Sequence, residues 1–263
     1  MLKQKHFGFK LGTLVLVLLF SLVRNAVAFE FEVSPFALYE QGQENINISG
    51  VKTKYGLGVV GIAVETQVGN DFKIGTRLGY GYHPNASVSL TFEGREVAVM
   101  GPVSGVYVEG SISYLHWDKS DYSLMSNLRF IRRNVDASDL AGTVGSRAIT
   151  GNAVNDFVTL DLVSGFEIPV GEAAFLRVSA GMSQWNLKTT AVAYAQTGSS
   201  GSISCPCSVT KRIDTTSIDP VGSVSIGSKN LRHNFDLELY GRSLKSKAGT
   251  QIIGLEIEYK FNF

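Results

Sequence analysis

The last nine residues, 255–263, read Leu-Glu-Ile-Glu-Tyr-Lys-Phe-Asn-Phe and switch between apolar and polar at every step. Leu255, Ile257, Tyr259, Phe261 and Phe263 form one stripe, and Glu256, Glu258, Lys260 and Asn262 the other. A period of two marks a β-strand whose faces meet two different surroundings. The pattern recurs upstream. Between Asp156 and Ile168, the residues Val158, Leu160, Leu162, Phe166 and Ile168 oppose Thr159, Asp161, Gly165 and Glu167. After the turn residues 169–172, Leu176, Val178, Ala180 and Met182 alternate with Arg177, Ser179, Gly181 and Ser183. Tight turns are predicted at 68–71, 101–104, 169–172 and 227–230. Around the second, Val97 and Val99, then Val106, Val108, Ile112 and Tyr114, make the apolar stripe opposite Glu109, Ser111 and Ser113. Four hairpins, a first strand over Phe29–Glu40 and the closing strand give ten strands. Tyr122 to Val135 carries the pattern of a further strand, so eight and twelve are the alternatives.

The amino terminus adds a leader. Lys3, Lys5 and Lys10 precede an apolar run, Leu11 to Val23, and Ala26-Val27-Ala28 offers a small-residue cleavage site. Residues 1–28 read as a signal peptide cut after Ala28, and 29–263 as one all-β domain. The leader holds four basic residues and no acid, so the 24 basic residues of the chain fall to 20 against 23 acidic ones. That balance gives no reason to expect a nucleic-acid partner. The 28 glycines and six prolines suit crowded strands rather than helices.

A closing strand that ends the chain on an aromatic resembles the last strand of a bacterial outer-membrane β-barrel, with Tyr259, Phe261 and Phe263 as the assembly signal. The resemblance covers the whole region 29–263, in the porin-like and surface-antigen class, and points to no narrower family. It implies a transmembrane antiparallel up-and-down barrel in the outer membrane, apolar outside and polar within. Both chain ends then lie on the tight-turn side, the periplasmic side of such barrels. Long extracellular loops fall near 118–155 and 188–216, and a short one near His83–Ala86. Expected partners are outer-membrane lipids, lipopolysaccharide, the assembly machinery and a host or environmental ligand at the loops.

The inward face should carry a charge network of Glu109, Asp161, Glu167, Arg177, Asp236, Glu238, Arg242, Glu256, Glu258 and Lys260, with Glu30, Glu32, Lys73, Arg77 and Asp219 nearby. A barrel this narrow is filled by side chains, and long charges of both signs there should interlock. Arg129, Arg132 and Arg133 cluster in the expected third loop and form a weak ligand site for phosphate or an anionic partner. Cys205-Pro206-Cys207 reads as a local disulfide at a loop tip, with free or intermolecular thiols as the alternative and a soft-metal site, which lacks further ligands nearby, as the third.

Catalytic chemistry is sparse, and no cofactor or metal is implied. Ten-strand outer-membrane barrels resemble the omptin proteases in architecture, and that family sets two acids against an acid–histidine pair at the barrel mouth. Of His83, His116 and His233, only His83 is expected at the outer mouth; it precedes Pro84 without an Asp-x-His or Asp-x-Asp partner, and Asp118 and Asp121 are distant in sequence. For a lipid-A hydrolase, Ser113 and His116 fall on opposite faces. The leading expectation is a non-enzymatic surface barrel presenting its loops for adhesion or ligand binding; a small porin-like channel is second, and an omptin-like protease or lipid-A hydrolase a distant third.

Overall fold

The computed structural model describes residues 31–46, 51–92, 95–119, 121–144, 147–195, 208–228, 233–244 and 250–261. The leader, Glu30, Cys205, Cys207, Phe263 and the Phe261 side chain lie outside that description. Ten strands follow one another: β1 (Phe31–Ile46), β2 (Val51–Val68), β3 (Phe72–Phe92), β4 (Arg95–Asp118), β5 (Ser123–Val144), β6 (Arg147–Val170), β7 (Ala174–Ala195), β8 (Ser208–Ser228), β9 (His233–Leu244) and β10 (Thr250–Phe261). Each pairs with its sequence neighbours, and β10 pairs antiparallel with β1 to close the ring. Gly69 and Gly171 take left-handed φ of 66° and 74° in the tight turns, a conformation glycine adopts without penalty.

The count of ten is as expected, but it is reached by a different path. Residues 101–104 do not turn. They lie inside β4, with Pro102 exposed where the register to β5 shifts between Met100 and Val103. A bulge is where a strand tolerates a residue without an N–H. Because β4 runs straight on, Val97 and Val99 share the inward face with Tyr107 and Glu109, and all four are buried. His83–Ala86 is likewise no loop but a bulged part of β3. The expected loop 118–155 is the hairpin of β5 and β6, joined at 145–146. Its alternation is hidden by inward arginines and by a bulge between Ala137 and Leu140, where Asp139 has φ 60°. The expected loop 188–216 shrinks to residues 196–207, since β7 continues to Ala195 and β8 begins at Ser208.

The connections 69–71, 119–122, 171–173 and 229–232 share one end, here the turn end, with the start of β1 and the finish of β10. Towards that end, the outward face is an apolar belt: Val60, Ile62, Leu78, Leu160, Leu162, Val224, Leu255 and Ile257 are all exposed. A transmembrane strand needs about 9–11 residues. β4 and β6 have 24 each, so they rise well beyond the belt. There polar residues such as Asp136, Thr150 and Asn152 join the outward face beside exposed Met100, Val154 and Tyr194, and the inward residues are mostly apolar. Val97, Val99, Val103, Leu140, Ile149 and Ala193 pack in one buried cluster inside the projecting wall.

Candidate functional site

The lumen is built in tiers. Alternation aims every second side chain inward, and the ten members of the expected charge network all project there: six are buried, and Arg177, Asp236, Glu238 and Lys260 are half-buried. Nearest the turn end, Lys260 Nζ and Lys73 Nζ each stand 2.5 Å from Glu65 Oε2, and Lys73 reaches Glu32 at 3.8 Å. Arg177 bridges Glu167 at 2.6 Å and Asp236 at 3.4 Å. One tier further, Arg77 gathers three carboxylates: Glu256 at 2.5 Å, Glu109 at 3.6 Å and Glu258, to which it also donates a hydrogen bond. Ser34 donates to Glu258 at 2.7 Å. These two tiers line a cavity of about 340 Å³ whose walls carry eight carboxylates and five basic groups.

Above the cavity a layer of buried side chains fills the lumen. Arg133 on β5 reaches across to Glu40 on β1 at 2.5 Å, and the two side chains are 4% and 0% exposed. Tyr240 on β9 donates its hydroxyl to the same Glu40 carboxylate. Arg242 grips Asp161 with both ends of its guanidinium, Nη2 to Oδ2 at 2.6 Å and Nη1 to Oδ1 at 3.1 Å. Nη1 also donates to Ser183 at 3.1 Å. Charges this deep persist only when paired and hydrogen bonded. Trp185 donates its indole N–H to Asp219 at 2.7 Å. Phe36 and Leu38 of β1 and Leu57 and Val59 of β2 pack in one buried cluster with Tyr107, Ile131 and Tyr240. Trp185→Phe keeps the ring stacking and removes one buried charge-assisted bond. The expected loss is about 1–3 kcal/mol, measured by urea unfolding with Trp117 as the remaining fluorophore.

The three arginines expected together on a loop are split by the strand. Arg129 and Arg133 point inward and are buried, Arg129 Nη1 standing 3.6 Å from Glu238. Arg132 points outward and pairs side-on with Asp156, Nε to Oδ1 at 3.0 Å and Nη2 to Oδ2 at 3.2 Å. They are therefore not one ligand site. Arg132 instead begins an outward row just above the apolar belt, continued by Asp156, Lys188 and Asp214 on successive strands. Sequence reasoning missed Glu40, Glu65, Arg129 and Arg133 as lumen charges. Glu40 lies inside β1, which continues to Ile46, and its parity with Ser34, Phe36 and Leu38 is the signal that marks it as inward.

The histidines are dispersed. His83 accepts a hydrogen bond at Nδ1 from the Asn85 N–H at 3.1 Å, and its ring covers Gly56 next to Tyr39. Asp118 and Asp121 flank the turn end, far along β4 from the pairing of His83 with Val103. His116 Nε2 lies 2.8 Å from Ser126 Oγ, which lies 2.8 Å from Ser164 Oγ, all on the outward face. Ser113 is no partner of His116; Ser126 is brought beside it because β5 is a strand that pairs Ser126 with Tyr114, next to the bulge of β4 between Leu115 and Trp117. Among the described residues, the hydrogen bonds of His83 and His116 run to the Asn85 N–H and the Ser126 hydroxyl, not to a carboxylate, and no group of three or more His, Cys, Asp or Glu side chains is placed to hold a metal ion.

No protein-family model and no curated protein matches the chain. Solved structures do. The outer membrane protease OmpT from Escherichia coli superposes with a TM-score of 0.51 at 11% identity, over 91% of this chain and 99% of that one. The translocator domain of the autotransporter NalP from Neisseria meningitidis gives 0.44 at 12% identity, over 97% and 96%. The attachment invasion locus protein Ail of Yersinia pestis gives 0.35 at 10% identity, over 89% and 99%. At such identity the likeness to OmpT is one of fold. With its closed ten-strand ring and apolar outer belt, the chain folds as a bacterial outer-membrane β-barrel.

Proposed function

We propose that this barrel is a non-enzymatic surface protein, closed to solute flow, whose projecting β3–β8 wall is the part that meets the cell's surroundings. The observation that carries the reading is the seal of Arg133, Glu40, Tyr240, Arg242 and Asp161, each no more than 6% exposed, between the cavity and the far end. A rigid scaffold that spends its lumen on packing leaves recognition to its outer parts. The turn end faces the periplasm and the far end faces out, and residues 1–28 are the leader that exports it. Arg132 and Lys188, outward at the upper edge of the belt, suit lipopolysaccharide phosphates. The exposed residues of the wall above them present the adhesive or ligand-binding face.

Purified protein in a planar bilayer is expected to give no stable conductance steps. Steady steps from the wild type would favour a second reading, a small cation-preferring channel, which the acid-rich cavity of about 340 Å³ supports. Covalent labelling of Ser126 by a fluorophosphonate would overturn the non-enzymatic part.

A further inference from the structure

A second cavity lies above the seal, inside the projecting wall, and six consecutive strands, β2 to β7, contribute to its lining. It measures about 70 Å³, room for roughly five waters or one six-membered ring. Towards the seal its lining is large and apolar: Leu57, Phe157 and Leu187, with the Arg133 guanidinium 5.3 Å from the centre of the Phe157 ring. On the β5–β6 side it is small. Ala137 and Ala153 stand directly opposite each other across that ladder, and both are buried. Larger residues at that pair would close the space.

The lining defines the chemistry of an occupant. Among the described residues, Arg133 is the one charged side chain in it, and Glu40 already holds that charge at 2.5 Å. A charged guest would be buried without a counter-ion, so the site suits a neutral one. The polar part is a pair: Thr189 faces half-buried Asn155 directly across the β6–β7 ladder, and both line the cavity. Yet Thr189 Oγ1 is buried and has no hydrogen-bond partner. A buried hydroxyl left without a partner is costly and uncommon. Water fills the space poorly, because each molecule needs two to four polar partners and the rest of the lining is apolar.

We propose that this cavity binds a small neutral molecule with an apolar ring-sized body and one hydroxyl, of the phenol class, and that this hydroxyl bonds Thr189 Oγ1. Apolar walls with a few polar groups that fix orientation are the usual build of a small-molecule site. A way in exists. Among the described residues, β8 from Ser208 to Pro220 is laddered to β7 alone, so a guest can pass above the β9–β10 hairpin without breaking a ladder.

The test uses the whole barrel in nanodiscs, with folding of each variant checked by heat-modifiable gel migration. A Trp117→Phe background leaves Trp185 as the fluorophore, and Trp185 packs in one buried cluster with Phe157 and Leu187. Phenol should give a saturable change in its emission, at one equivalent per barrel, after subtraction of empty nanodiscs. Benzene should saturate too, at higher concentration. Thr189→Val keeps the shape and removes the hydroxyl, so it should weaken phenol by about fivefold and leave benzene unchanged. Ala153→Leu and, on the facing strand, Ala137→Leu should each abolish the response to both probes. A linear response or none, as for a cavity that holds water only, would overturn the site, and so would saturation that survives in either leucine variant. Thr189→Val that weakens both probes equally, or neither, would overturn the assignment of the hydroxyl. None of these outcomes depends on which end of the barrel faces out or on whether it conducts.

Discussion

Replacing Arg242 by leucine is expected to destabilise the barrel by about 3–5 kcal/mol. The substitution leaves Asp161, whose side chain is 0% exposed, with neither of the two hydrogen bonds that Arg242 supplies. Ser183 loses its Arg242 donor in the same step. The pair as a whole is another matter. Taking both charges out of water costs about as much as their attraction returns, so Asp161→Leu combined with Arg242→Leu should recover most of the loss. Urea titrations of the refolded protein, read by the shift in gel migration, give both numbers. A double variant as unstable as the single one would show that the lumen cannot accept apolar packing at this depth.

Gly254→Val is expected to cost about 3 kcal/mol and to loosen the seal. Gly254 lies directly across the ladder from Tyr240. A Cβ built there would overlap the Cζ and hydroxyl oxygen of Tyr240. The glycine is thus the space into which the tyrosine ring folds, an arrangement that barrels use to fill the void beside a strand glycine. A valine must push the ring aside, and the Tyr240 hydroxyl then leaves Glu40, which is fully buried. Pairing Gly254→Val with Tyr240→Ala should relieve the collision, and the stability difference between the two backgrounds measures it. Equal losses in both would mean that the backbone, not the ring, resists the side chain.

The outward and inward faces were legible in sequence wherever the membrane imposes two unlike surroundings. β6, β7 and β10 alternate cleanly over the belt, and the lumen charges Asp161, Glu167, Arg177, Glu256 and Glu258 follow from parity alone. Legibility fails above the belt. There the outside is water and the inside apolar, so the inward valines at 97 and 99 read as lipid-facing and the polar stretches of β5, β7 and β8 read as loops. Gly-Pro at 101 and 102 reads as a tight turn and Pro84 after His83 as a short loop, since proline marks a bulge in a strand as readily as a reversal between two. The pairing of His116 with Ser126 depended on the same unseen strand. Cross-lumen partners such as Arg133 and Glu40, 93 residues apart, have no local signature at all.

The unequal strand lengths also decide where the wall can part. Along most of the circumference, neighbouring strands are laced over nearly their whole length, as between β6 and β7 from Ile149 to Val170. The β9–β10 hairpin is different: among the described residues it is joined to β8 over Val221–Gly227 alone and to β1 over Phe36–Gln43 alone. It is a narrow stave between two short seams. Any sideways passage from lumen to bilayer would break the fewest backbone bonds along one of those two seams, so strand length alone has given this closed cylinder a preferred line of lateral opening.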